Sequence, residues 1–181
     1  FSRIRMFLTA IRMTITISIV IILMYMFNKH NKIIRKIWGQ IQIKLLGIKL
    51  KIEGEIDKNA NMIILNHQSL VDIIVLEALH PKNISWVAKK EIANLFWFGH
   101  ILKAPKMIIV ERESKTSLIK LLKESKEKFE QNRPIAIFPE GTRTSGKKLH
   151  KFKAGAKLIA NKYNFKVQPI VLIGRSEERR V

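Results

Sequence analysis

Two short strings hold the residues best able to do chemistry: Asn66-His67-Gln68-Ser69-Leu70-Val71-Asp72 and Phe138-Pro139-Glu140-Gly141-Thr142-Arg143. Neutral imidazole has an unperturbed pKa of about 6.5, so His67 can accept a proton near neutrality. A carboxylate bonded to the other ring nitrogen fixes the tautomer and stabilises the imidazolium that forms. Asp72 is the nearby carboxylate. On one straight helix these two side chains would point apart, so they meet only if a strand-to-helix turn lies between them. A structural reading competes: Ser69-Leu70-Val71-Asp72 fits a capping box, with Ser69 as N-cap and Asp72 as the N3 acid.

The second string joins a flexible backbone, a hydroxyl and a guanidinium. Glycine lets the main chain approach an anion closely, and arginine can grip phosphate oxygens bidentately. Lys147, Lys148 and Lys153 add positive potential, and Glu111-Arg112 forms a second basic position after the apolar run Met107–Val110. Taken alone, each also reads as an exposed charged turn or ion pair. His30, His80, His100 and His150 are scattered without paired ligands, so no metal site is expected. The chain has no cysteine, which excludes disulfides, thiolate nucleophiles and cysteine-based metal sites. Dinucleotide-binding, P-loop, His-Glu-x-x-His and Gly-x-Ser-x-Gly signatures are absent.

The elements around these strings alternate. Strand Met62–Leu65 leads to a helix near Leu70–Leu79, and strand Ile84–Ala88 to the aromatic segment Ile92–Leu102, which suits either lipid or core. Strand Met107–Val110 leads to helix Ser117–Glu130. Strand Pro134–Phe138 leads through a loop to helix Ala154–Tyr163, and Val167–Ile173 closes the series. This pattern predicts an α/β fold, a mixed, largely parallel sheet covered by helices. Chemistry in such sheets collects beyond the carboxyl ends of the strands, where both strings fall. Upstream, Ile48, Leu50 and Ile52 alternate with polar residues as in a half-buried strand. Asn31–Leu46 carries apolar residues at helical spacing (Ile33, Ile34, Ile37, Trp38, Ile41, Leu45), an amphipathic helix for the membrane interface or the domain surface.

The 181 residues carry a formal charge of +20 and are 47% apolar. That apolar content argues against disorder, and the charge suits a polyanionic partner, nucleic acid or an anionic membrane. Met6–Phe27 favours the membrane, because Arg12 is its only charge and its length approaches the ~20 residues of a spanning helix. Lys29, Lys32, Arg35 and Lys36 follow, against Arg3 and Arg5 before it, which places the downstream domain on the cytoplasmic side. A buried helix would explain those flanking charges less well. The expected organisation is a hydrophobic membrane anchor over 1–30, an amphipathic helix over 31–47, a catalytic domain over 48–174 and a charged tail over 175–181, disordered or not native to the domain. The chain opens on Phe1 rather than Met, so its N-terminus is expected to lie upstream.

In this order the strings resemble the lysophosphatidic acid acyltransferases (1-acylglycerol-3-phosphate O-acyltransferases). Asn66-His67 with Asp72 matches the family's Asn-His-x4-Asp block, Val110-Glu111-Arg112 resembles its second block, and Phe138–Arg143 matches its Phe-Pro-Glu-Gly-Thr-Arg block. Phe152-Lys153-x-Gly155-Ala156 and Val167-x-Pro169-Ile170 look like the downstream blocks. Two departures stand out: Lys106 occupies a position where the second block usually begins with glycine, and the chain ends soon after Pro169.

The resemblance implies a glycerolipid acyltransferase-like fold. It implies transfer of a fatty acyl group from acyl-CoA or acyl-carrier protein to the sn-2 hydroxyl of 1-acylglycerol-3-phosphate, giving phosphatidic acid. His67 would be the base and Asp72 its partner. Arg112, Glu140, Gly141, Thr142 and Arg143 would hold the acceptor phosphate, with Asn66 and Lys153 as further contacts. Membrane phospholipids are the expected surroundings; no cofactor, metal or nucleic acid is expected. The alternatives are another acceptor, such as glycerol-3-phosphate or a different lysophospholipid, and a non-enzymatic basic module binding membrane or nucleic acid.

Overall fold

The structure is a computed structural model that describes residues 2–111, 115–144 and 150–174. Its strands are short runs rich in branched apolar residues: β1 (Met62–Leu65), β2 (Ser85–Lys89), β3 (Ile108–Val110), β4 (Ile135–Ile137) and β5 (Val167–Ile170). The runs of β1, β3 and β4 have no polar residue and must be covered on both faces, the condition of a parallel sheet, whereas β2 and the edge strand β5 include Ser85, Lys89 and Gln168. The five strands line up in the order β3-β2-β4-β1-β5, and every pairing is parallel. All carboxyl ends therefore share one edge.

Helices fill both faces. On one, α3 (Leu70–Leu79) sets Leu76 against Ile63, Leu65, Trp86 and Ala136. On the other, α6 (Lys115–Glu130) and α7 (Ala154–Tyr163) bring Leu121 and Ile159 onto Met62, Ile108, Ile135 and Ile137. Between β2 and β3 the aromatic segment forms two short helices, α4 (Lys90–Ala93) and α5 (His100–Lys103), with Phe96 94% exposed in the turn between them.

The N-terminal segment is a helix pair. α1 (Ser2–Met26) ends at a 3-10 turn (Asn28–His30), and α2 (Asn31–Leu45) follows. α2 crosses α3 so closely that a Cβ at Gly39 would lie 2.9 Å from the Ile74 carbonyl oxygen and 3.0 Å from the Ala78 nitrogen. Its outer side exposes Ile33, Ile37, Ile41 and Leu45. α1 meets α2 from its middle onward: Arg12 Nη1 donates to Gln42 Oε1 at 3.2 Å and Gln42 Nε2 to Thr16 Oγ1 at 3.3 Å, and further along Val20 and Met24 pack beside Ile34, Trp38, Ile101 and Ala104. Trp97 Nε1 also donates to Ser18 Oγ at 2.8 Å. An 18-residue stretch of Arg3–Met26 has a mean hydropathy of 2.2, and among the described residues this is the one helix long and apolar enough to cross a membrane.

Two expectations need correction. Residues 48–52 form no strand; they belong to an irregular link between Gly47 (φ 65°) and Gly54 (φ 83°). Alternation marks a surface with two unlike faces, but a strand also needs ladder hydrogen bonds to a neighbour, and residues 48–52 pair with none of the five strands. The last strand stops at Ile170 rather than running to Ile173. Residues 175–181 lie outside the described residues.

Candidate active site

The loop from β1 to α3 brings the histidine to the carboxylate. Ser69 is extended (φ −155°, ψ 176°) and caps α3, its Oγ accepting from the Val71 N–H at 3.1 Å. Asp72, in the first turn, completes the capping box. Its Oδ2 accepts from the backbone N–H of Ser69 at 2.8 Å, from that of Gln68 at 2.6 Å and from His67 Nδ1–H at 3.0 Å. The two readings of Asp72 are therefore compatible: the cap aims the same oxygen at His67. Burial opposes ionisation of this carboxyl, but the hydrogen bonds from His67, Ser69 and Gln68 outweigh it and hold the pKa below the ordinary 3.8. The positive end of the α3 dipole favours the anion as well. With Nδ1–H committed to Asp72, the neutral ring keeps its lone pair on Nε2, the nitrogen left for base chemistry.

The imidazole lies flat on Phe138, ring centres 3.8 Å apart at 18°. Phe138 follows β4, and β4 pairs with β1 in the register Ile64 with Ile137. That adjacency brings the two sequence strings together. Gly141 (φ 73°) turns the chain back after Phe138, its N–H donating to the Phe138 carbonyl at 3.0 Å; a side chain is strained at that φ. Three residues on, the Thr144 N–H donates to the His67 carbonyl at 2.8 Å. Thr142 and Arg143 are exposed on this loop. Lys153, also exposed, precedes α7 and donates its N–H to the Pro139 carbonyl at 2.8 Å.

Two residues expected on the acceptor have other engagements. Glu140 is 3% exposed, and its Oε2 accepts from the His150 N–H at 3.0 Å. Glu140 braces the loop from inside, and its other oxygen has no partner among the described residues. The Asn66 amide is consumed by Leu172, donating to its carbonyl and accepting from its N–H, both at 2.8 Å. This clamp ties the end of β1 to the chain leaving β5, its other neighbour.

Arg112, Lys147 and Lys148 lie outside the described residues. Glu111, which precedes Arg112, pairs with Lys90 at 3.1 Å on the surface. β3, which leads to Arg112, stands three strand positions from β1, about 14 Å at the usual spacing. Sequence reasoning missed the roles of Trp86 behind Phe138, of Leu172 and of Thr144. The first is an aromatic in a strand, Leu172 acts through its backbone, and Thr144 acts mainly through its backbone N–H, with its Oγ1 also donating to the His67 carbonyl at 3.4 Å.

Comparison with known proteins decides the lineage. The acyltransferase family model matches residues 47–173. A 1-acyl-sn-glycerol-3-phosphate acyltransferase of Helicobacter pylori is 46% identical over 91% of this chain and 70% of its own length. The chain belongs to the 1-acyl-sn-glycerol-3-phosphate acyltransferase family. The Cocos nucifera enzyme of that name is 35% identical over 75% of the chain. The crystal structure of the Thermotoga maritima 1-acyl-sn-glycerophosphate (LPA) acyltransferase, PlsC, superposes with a TM-score of 0.61 at 25% identity, covering 77% of this chain. The chain spans 45% of the coconut relative and 56% of the Thermotoga chain. In this acyltransferase, then, the His67–Asp72 pair and the 138–144 loop share one edge of a PlsC-like sheet.

Proposed function

We propose that the protein acylates the sn-2 hydroxyl of 1-acylglycerol-3-phosphate, using acyl-CoA or acyl-carrier protein as donor and giving phosphatidic acid. His67 Nε2 takes the hydroxyl proton while Asp72 holds Nδ1–H and stabilises the resulting imidazolium. The acceptor oxygen attacks the thioester carbonyl, forming the new ester C–O bond and a tetrahedral oxyanion. Its collapse breaks the C–S bond, and the thiol leaves with the proton carried by His67. Arg143, with Arg112, grips the phosphate. Gly141 and Thr142 shape the loop that receives it, Lys153 adds charge, and Asn66 and Glu140 hold the surrounding backbone. The observation that carries this reading is one geometry: an imidazole bonded to a buried carboxylate and stitched, through Phe138 and Thr144, to the loop bearing Arg143.

In this proposal α1 anchors the protein in the membrane, the apolar stripe of α2 lies against lipid, and the domain faces the cytoplasm. The exposed apolar length of α1 and the lysines that follow it support that placement.

A panel of acceptors and donors offered to the detergent-solubilised protein tests the reading. Acyl transfer to lysophosphatidic acid, faster than to glycerol-3-phosphate, is the expected result. A second acceptor merits a place in the panel, because a Rhizobium meliloti lyso-ornithine lipid O-acyltransferase is 25% identical over 71% of this chain. Preference for that lipid would overturn the phosphate role of Arg143.

A further inference from the structure

One hydrogen bond holds His67 Nδ1 at a set distance from Asp72 but does not by itself fix both side-chain torsions of the ring. The ring plane decides where Nε2 points, and this plane is set by Phe138, stacked beneath it. Phe138 in turn stacks on Trp86, ring centres 5.4 Å apart at 22°. Trp86 is itself held, because its Nε1–H donates to Glu77 Oε1 at 2.7 Å. The same carboxylate oxygen is paired with Arg35 of α2, whose other terminal nitrogen donates to Asn83 Oδ1 at 2.6 Å. Arg35, Glu77 and Trp86 are buried.

Buried ion pairs are costly to desolvate, and apolar residues often replace them without loss of stability. What an apolar foot would lack is direction. An indole held by a carboxylate has one orientation, and a ring stacked on that indole inherits it. We propose that Phe138 and Trp86 are positioning residues for the acyl-transfer reaction: a two-ring stack, footed on the Glu77–Arg35 pair, that holds the His67 imidazole in its working plane. The proposal rests on His67 being the base, and α2 thereby becomes part of the site's support.

The experiment compares Phe138→Leu, Phe138→Tyr, Trp86→Phe and His67→Ala in acyl transfer to lysophosphatidic acid, with thermal unfolding of each variant. Misplacing a reacting group by about an ångström can cost up to a hundredfold. Phe138→Leu, which stays apolar but is smaller and loses the flat face, should lower kcat at least about tenfold with acceptor and donor KM unchanged. Phe138→Tyr, which restores a ring, should recover most of that loss. Trp86→Phe keeps a ring but deletes the donor to Glu77, and a kcat reduced about threefold or more at unchanged KM is expected. Wild-type kcat in folded Phe138→Leu would overturn the proposal. Should Phe138→Leu fail to fold, the decision passes to Trp86→Phe, where wild-type kcat overturns the proposal equally. A fall in kcat that only tracks lost folded protein, or no recovery in folded Phe138→Tyr, would also overturn it. Full turnover in His67→Ala would sink the base itself, a failure separable from the others because it needs no change at either ring.

Discussion

Asp72 and Glu77 are buried acids of one helix, α3, and their surroundings differ. Asp72, at the amino end, accepts from two backbone amides and from an imidazole. None of these need carry a charge, so the carboxylate can respond when His67 gains a proton. Glu77, near the other end, faces the Arg35 guanidinium and an indole N–H. Arg133 lies near as well, its pKa pushed down to about 10 by burial and by Arg35, against the pull of Glu77. Its environment is committed to one charge state. The difference teaches that a buried carboxylate is read by its partners: neutral, titratable donors suit catalysis, and permanent cations suit architecture.

Substitutions can break the comparison. Asp72→Asn should lower kcat by about a hundredfold or more, the usual scale for disabling a general base. Its cost in stability should be only about 1 kcal/mol, that of a weakened cap. Equal damage to turnover and stability, measured by acyl transfer and urea unfolding, would dissolve the distinction. Glu77→Gln should behave in the opposite sense. It leaves Arg35 and Arg133 without a counter-charge, and breaking a buried pair costs about 3–5 kcal/mol. Turnover per folded molecule should fall far less than in Asp72→Asn.

Smaller effects sharpen the same contrast. Arg143→Ala removes an exposed charge, so the fold should persist while the acceptor KM rises about tenfold, the loss of one charge-assisted contact; an unchanged KM would end its phosphate role. Dependence of stability on pH should be modest and two-stepped. Burial lowers the pKa of His80, with the charges of Lys82, Lys32 and Lys36 adding to the effect against a hydrogen bond with Lys82. The unfolded chain binds a proton near pH 6.5 that the folded one refuses, so stability should fall as pH drops below about 6.5. Asp72 acts lower: its contribution is complete above about pH 3.9 and is lost as pH falls through the depressed folded value. In Asp72→Asn the urea midpoint should lose the Asp72 share of the acid limb, keeping that of Asp57, whose pKa is held down by its hydrogen bond with Lys166, and the His80 step.

Much of this arrangement was legible in the residues. The spacing of His67, Ser69 and Asp72 fixed both a cap and a pair, because the block is local and one turn of chain decides its geometry. Strand–helix alternation gave the layers, and the carboxyl-edge rule placed the two strings together. Trp86, Phe138 and Glu77 were not readable as a set. Their contacts depend on β2, β4 and β1 being neighbours, an order that no local pattern encodes. The inward turn of Glu140 was unreadable for a related reason: it sits in a basic loop by sequence, yet its side chain is buried and braces residue 150. Ile48, Leu50 and Ile52 had a strand's pattern, but alternation does not by itself supply the ladder partner that a strand needs.

The most direct test of the account is acyl transfer to lysophosphatidic acid by the wild-type protein and His67→Ala, assayed side by side in the same detergent. The account predicts product from the first and at least about a thousandfold less from the second, within the range for loss of a general base, with thermal unfolding unchanged to within a few degrees. Comparable turnover in a folded His67→Ala protein would contradict it.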